Sequence, residues 1–455
     1  MNKKGFTLME IIVVIALLGA IMLLVVPNIT KNFKESKKRL FYDNVVSLYT
    51  SAGRSFLLLD NTSNKTFSNS GNTLDVDVSE DITYKIVVNS YGEVTSMYVT
   101  NGTYSYSKSN SNGIKKKDIK LDDIIEGTSG ENIGINVTLF DKLLEDNPTI
   151  SERTDFSTTF TTNTAKTLYK STESGTDVYY FAGQDTTSTP VNNWVSFGEF
   201  YWRIIRTNAD GSIRLLYSGT SPDITNGYIG YSAFNTNYSS PKYVGYMYGD
   251  SDTTLDEARS NTNDSTIKAY IDNWYENNFT SYTNYLSNDA IYCNDRELRS
   301  GAIYSTSSDF DFKSDERLYT NKAPTYDCTS NKDAFSVNNT EAKLKYPIAL
   351  MTADEIAYAG GVYKQDSAMW YYTNSTYNSI TGSIYWRLLS PDIWFSPSAI
   401  VWFVSGSDHT GYLHSDSVSG SGAVRPVISL KACTLYKSGD GSATNPYEIE
   451  MNGGC

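Results

Sequence analysis

Lys3-Lys4-Gly5-Phe6-Thr7-Leu8-Met9-Glu10 leads into an apolar run from Ile11 to Val26 in which only Gly19 is a small break. Phe6 to Val26 is 21 residues, enough for a helix to cross a bilayer, which takes about 20. One carboxylate, Glu10, lies inside this stretch. A charge placed in lipid is costly and is retained for a function. Pro27 follows at a point where a helix can bend. Beyond it Phe33, Leu40, Tyr42, Val45, Val46, Leu48, Tyr49, Phe56 and Leu57 recur at roughly helical spacing. The pattern predicts one long helix from Phe6 to about Leu59.

A short basic leader, then Gly5, Phe6, Thr7-Leu8 and a Glu five places after the glycine, resembles the processing motif of type IV pilins and pseudopilins. The resemblance implies a leader peptide of residues 1–5. It implies cleavage between Gly5 and Phe6 by a prepilin peptidase and methylation of the new Phe6 amine. Glu10 would then meet the Phe6 ammonium of a neighbouring pilin subunit in a fibre, and an opposite charge makes a buried carboxylate tolerable. The same resemblance implies a single-pass stay in the cell membrane through residues 6–26, followed by an extracellular pilus or cell surface. A secretory signal peptide would place small residues after the apolar run and carry no Glu within it. Lys31, Lys34, Lys37, Lys38 and Arg39 after the span outnumber Lys3 and Lys4 before it, against the positive-inside trend. The motif is the more specific signal.

Working outward, Asp81–Asn89 and Val94–Thr100 read as strands joined at Ser90-Tyr91-Gly92-Glu93. A small β-head is expected over 60–107. Residues 108–166 are polar, with Lys115-Lys116-Lys117, and read as a linker or extension whose structure the sequence leaves open.

The net charge of −13 argues against a nucleic-acid partner. The chain has 36 tyrosines with abundant Asn, Ser and Thr, a composition that suits extracellular binding surfaces. Four cysteines in an exported chain suggest two disulfides among three connectivities. Pairing of sequence neighbours, Cys293–Cys328 and Cys433–Cys455, is expected. There is no C-x-x-C and there are two histidines, so neither a metal site nor another cofactor is expected. Calcium stays open, because no loop has regular ligand spacing.

From about Thr167 the texture changes. Phe200–Arg206, Asn208-Ala209-Asp210-Gly211 and Ile213–Tyr217 read as a hairpin. Thr266–Phe279 reads as a helix capped by Ser265, and Thr352–Tyr358 as a second. Near the end, Tyr385-Trp386-Arg387-Leu388-Leu389-Ser390-Pro391 and Gly422-Ala423-Val424-Arg425-Pro426-Val427 resemble the C-type lectin-like fold, in the branch of formylglycine-generating enzymes and of proteins diversified by retroelements. The fold class expected is α+β: a long helix with a small antiparallel sheet, then a C-type lectin-like mixed α/β domain over 167–455 with short strands and few helices.

Val401–Val404 and Gly411–His414 alternate. With Trp402, Val404 and Leu413 inward, period two turns Phe403, Ser405, Tyr412, His414 and Asp416 outward. Asp392, Trp394, Phe395, Ser396 and His409 lie in or beside the adjoining turns. Outward aromatics beside Ser, His and Asp suit recognition of a glycan or protein ligand, and the resemblance implies a variable region here. Arg387 and Arg425 read as structural, bonded to carbonyls or carboxylates. A formylglycine-generating enzyme would need reactive thiols, whereas each cysteine here is better used in a disulfide, so an enzyme is not expected. A structural minor pseudopilin without a ligand is the remaining alternative.

Overall fold

The computed structural model describes residues 8–58, 65–69, 73–78, 82–110, 112–127, 137–161 and 166–451, with side chains from Phe33 onward. It divides into two units, Met1–Asn136 and Val137–Cys455. The division falls inside the 108–166 stretch that the sequence left open. The fold is α+β.

In the first unit, helix α1 (Leu8–Leu58) precedes a five-stranded sheet of β1 (Lys65–Ser68), β2 (Thr83–Val88), β3 (Val94–Thr100), β4 (Tyr104–Ser109) and β5 (Ile125–Glu126), in that order. All four pairings are antiparallel. The expected turn between β2 and β3 is present, with Gly92 at φ 82°, a backbone state that suits glycine. Phe41, Val45, Leu48, Ala52 and Phe56 form one buried stripe at helical spacing. They pack with Ile86, Val88, Met97, Val99 and Tyr106 in a single core. Each large apolar side chain buried in this way contributes about 1.5–3 kcal/mol. The stripe corrects the sequence reading: Phe33, Leu40 and Leu57 are exposed, and the core face begins at Phe41.

The second unit is built on a sheet ordered Ile348–Leu350, Pro426–Leu430, Ile213–Tyr217, Phe200–Thr207, Thr176–Tyr180, Thr167–Glu173 and Thr149–Glu152. The Phe200–Thr207 and Ile213–Tyr217 pair is the expected Asp-Gly hairpin. Helix Thr266–Asn278 begins at Ser265, whose Oγ accepts from the Lys268 N–H. It buries Ile267, Ile271 and Tyr275 in the core that also contains Trp202, Leu215 and Ile428. Helix Ala353–Ala359 starts with a capping box between Thr352 and Glu355.

Glu355 also anchors a buried ionic cluster, 2.7 Å from Arg214 and 3.1 Å from Arg206. Burial opposes its charge, but Arg214 and Arg206 prevail and hold its carboxyl below the ordinary value. The Cys293–Cys328 disulfide is formed as expected. It closes a loop that carries Arg317, which pairs with Asp295 at 2.5 Å and Asp354 at 2.9 Å. Cys433 is also disulfide-bonded; its expected partner Cys455 lies outside the described residues.

A second sheet holds the C-terminal hairpins. Its meander is β6 (Trp386–Phe395), β7 (Ser398–Val404) and β8 (Leu413–Ser417), paired antiparallel. Strand Ser421–Ala423 joins β6 in parallel, and Tyr231–Ala233 completes the far side. The short strand Phe310–Asp311, from the disulfide-closed loop, pairs with β6 at Trp394 and Ile393.

Candidate functional site

Alternation along β7 and β8 sorts the meander into two faces. Trp402, Val404 and Leu413 are buried as expected, with Val404 opposite Leu413. The Trp402 indole N–H donates to Ser314 Oγ at 3.1 Å, which ties the hairpin to the loop beneath it. On the other face Arg387, Phe403 and His414 stand opposite one another across the three strands.

These residues begin a row of rings. Ring centres lie 4.8 Å apart for Tyr385 and Phe403, and 5.4 Å for Phe403 and His414. The row continues through Tyr412, 5.8 Å from His414, to His409, 4.6 Å further on. Tyr363, from a distant part of the chain, lies 5.3 Å from His414 and edge-on to Trp402 at 5.7 Å. Tyr319 stands beside Tyr363 at 5.2 Å. Phe403, Tyr412 and His414 are half-buried, while His409 and Tyr319 are exposed. Packed rings of this kind are held in fixed orientations, which lowers the ordering cost of binding.

The row has built supports. A Cβ at Gly422 would come 2.7 Å from the Tyr385 ring, and one at Gly420 would come 2.8 Å from both the Tyr385 hydroxyl and Arg387 Nη2. Glycine at both places lets Tyr385 lie across the neighbouring strand. Arg387 is fully buried and donates to the carbonyls of Ser417 and Gly420, both at 2.7 Å. Burial lowers its pKa, and the guanidinium lies 5.0 Å from the Tyr385 ring centre. Arg425 likewise bonds the carbonyls of Tyr217 and Tyr371. Both arginines are structural in the way the sequence suggested.

His414 Nδ1 lies 2.7 Å from the backbone of Ser415. Burial holds the imidazole below its ordinary value, against the opposing effect of the Ser415 hydrogen bond. Asp416 is exposed on the same strand. Asp366 Oδ1 is 4.0 Å from His409 Nδ1, and Lys364 lies over Tyr363.

Five of the expected contacts are placed elsewhere. Trp394 is fully buried, because Phe310–Asp311 adds a strand beside it and packs it into the core. Asp392 is buried too; burial pushes its carboxyl up to about 7, although a hydrogen bond with Ser415 opposes this, and Asp315 and Asp311 add to the rise. Neither of these two faces outward. Phe395 is exposed and Ser396 half-buried, but both lie at the turn between β6 and β7. Tyr412 and His409 sit beyond the opposite end of β7, a strand of seven residues or about 20 Å. Ser405 is buried in the turn and donates its N–H to the Tyr412 carbonyl at 3.0 Å. The residues brought together are Phe403, His409, Tyr412, His414 and Asp416. Tyr385, Tyr363 and Tyr319 join them without having been singled out.

The other expected site lies at the N-terminus. The family model for the prokaryotic N-terminal methylation motif matches residues 1–26. The chain has a type IV pilin-like N-terminus. That motif implies processing by a prepilin peptidase and assembly with other pilin subunits. Gly5 and Phe6 lie outside the described residues; Glu10 is within α1, and its side chain is not among those described. Among the described residues no helix is long and apolar enough to cross a membrane, and no group of three His, Cys, Asp or Glu could hold a metal. No curated protein and no solved structure matches the chain.

Proposed function

We propose that this chain is a type IV pilin-like subunit that carries its second unit to the cell surface as a recognition domain, with the ring row from Tyr385 to His409 as its ligand face. The observation that carries this reading is the row itself. Five rings, from Tyr385 through Phe403, His414 and Tyr412 to His409, run along one side of a three-stranded meander whose opposite side is core, and Tyr363 and Tyr319 border them at the edge of β8. Aromatic side chains held this way are common anchors at binding surfaces. The methylation motif at residues 1–26 supports the means of display.

The second unit is read as C-type lectin-like and as a binder of an extracellular glycan or protein. Support comes from the two sequence stretches quoted above, the first of which forms the start of β6 while the second runs from the strand Ser421–Ala423 beside β6 into Pro426–Leu430 of the larger sheet, and from the use of Cys293, Cys328 and Cys433 in disulfides. Diversification of the hairpin is part of the same reading. Sister genes from one population would then differ at Phe403, His409, Tyr412, His414 and Asp416, and would keep Trp394, Trp402 and Leu413. Mass analysis of surface-sheared material tests the display half. A chain beginning at N-methyl Phe6 and recovered in fibres is expected; a mature start elsewhere refutes it.

A further inference from the structure

Histidine occurs twice in the 455 residues, and both copies lie on the ring row. They bracket Tyr412 at 4.6 and 5.8 Å, and His414 also touches Phe403 and Tyr363. A flat group laid on Tyr412 or Phe403 therefore covers an imidazole. Imidazole is the side chain whose ordinary charge change falls between pH 5 and 8. Covering a neutral imidazole costs little, whereas covering an imidazolium removes water from a charge.

We propose that this face is proton-gated, so that protonation of its two histidines drives off an uncharged ligand stacked on the row. The proposal rests on the row being the ligand face. The charged surroundings decide the sign. On β8 the neighbour is Asp416, and Asp408 precedes His409 in the turn. From the segment packed beside them come Lys364 and Asp366, with Asp366 4.0 Å from His409. Lys322 sits over Tyr319 at the row's edge. From β6, Arg387 underlies Tyr385, and the buried Asp392 bonds Ser415 from the inner side. The phenols of Tyr363, Tyr412, Tyr385 and Tyr319 complete the set. Lys364 and Asp416 act on His414 in opposite senses, and Asp366 lies 4.0 Å from His409. The neighbours offer little net relief to two new positive charges, and desolvation by the ligand prevails. At His414 burial already disfavours the charged form and prevails; the Ser415 hydrogen bond and Asp416 oppose it, while Lys364 and His409 add to it.

Histidine-selective carbon labelling of the full chain in detergent gives two imidazole signals, one per site. Indole serves as the uncharged stacking probe. At pH 7.5 indole is expected to shift both signals, and its dissociation constant should rise about tenfold at pH 5.0, the change that one unit of pKa depression produces. The His409→Gln/His414→Gln double variant, followed by saturation transfer to indole, should show the same affinity at both pH values. Equal or tighter binding at pH 5.0 by the unmodified chain overturns the gating alone. Absence of any imidazole shift at pH 7.5 overturns the ligand face on which the gating depends.

Discussion

Phe403 and His414 face each other across β7 and β8 with ring centres 5.4 Å apart, and one step along Trp402 and Ser415 form the next pair on the opposite side. A slip of one residue would exchange the two faces. The register therefore separates residues that hold the domain from residues available to a ligand.

Trp402→Ser is expected to unfold the second unit. The indole is buried, hydrogen-bonded to Ser314 and packed against Tyr363. Removing a buried side chain of this size costs about 3–5 kcal/mol. A urea melt checks it, and a midpoint within error of the unmodified chain would show that Trp402 is not core.

Asp392→Asn is expected to stabilise the protein above pH 7 and to change little near pH 4. Burial pushes the folded carboxyl up to about 7, from an ordinary value of 3.8. A raised carboxyl pKa means that the native state holds its proton more tightly. That contribution is complete below pH 4 and is lost as pH rises to about 7. His414, lowered by burial, acts in the opposite sense: its contribution is present above the ordinary imidazole value and is lost on acidification. Thermal melts of Asp392→Asn and Asp392→Ala between pH 4 and 8 separate the two. A constant difference across that range would contradict the buried acid.

Cys293→Ser/Cys328→Ser should lower stability by about 3–4 kcal/mol in the chain-entropy account of a loop this long. The loop also positions Arg317 between Asp295 and Asp354, and it supplies the strand that covers Trp394. Denaturant unfolding of the double variant measures the loss. Non-reducing peptide mapping should also join Cys433 to Cys455; a Cys293–Cys433 peptide would contradict the local pairing.

Glu10→Ala should abolish incorporation into fibres while both outer units stay folded. Loss of one partner of a buried charge pair costs about 3–5 kcal/mol. Fibre yield measured beside circular dichroism of the solubilised chain tests this, and normal yield would refute the role.

Much of this architecture was legible wherever the signal was local. The β2–β3 turn, the Asp210-Gly211 hairpin, the Ser265 cap and the Trp402/Phe403 alternation all depend on residues close in sequence. Legibility failed where partners come from afar. Trp394 is core because Phe310–Asp311 pairs with it, and nothing near Trp394 announces that strand. The pairing of β6 with β7 also shifts between Arg387, Pro391 and Trp394, so simple alternation cannot be carried along it. Tyr363 and Tyr319 reach the row from separate segments and carry no local mark. On α1 the helical period was legible but its phase was not, since Phe41 rather than Leu40 meets the sheet.

The central claim is that the ring row touches a ligand, and adhesion by cells carrying full-length Phe403→Ser/Tyr412→Ser tests it most directly. Both side chains are half-buried and outside the core face, so surface amount and melting temperature should stay close to those of the unmodified chain. Aromatic anchors each contribute about 2 kcal/mol or more, so adhesion should fall by a factor of about 30 or more. Unchanged adhesion at equal surface amount would contradict the account and place recognition elsewhere on the second unit.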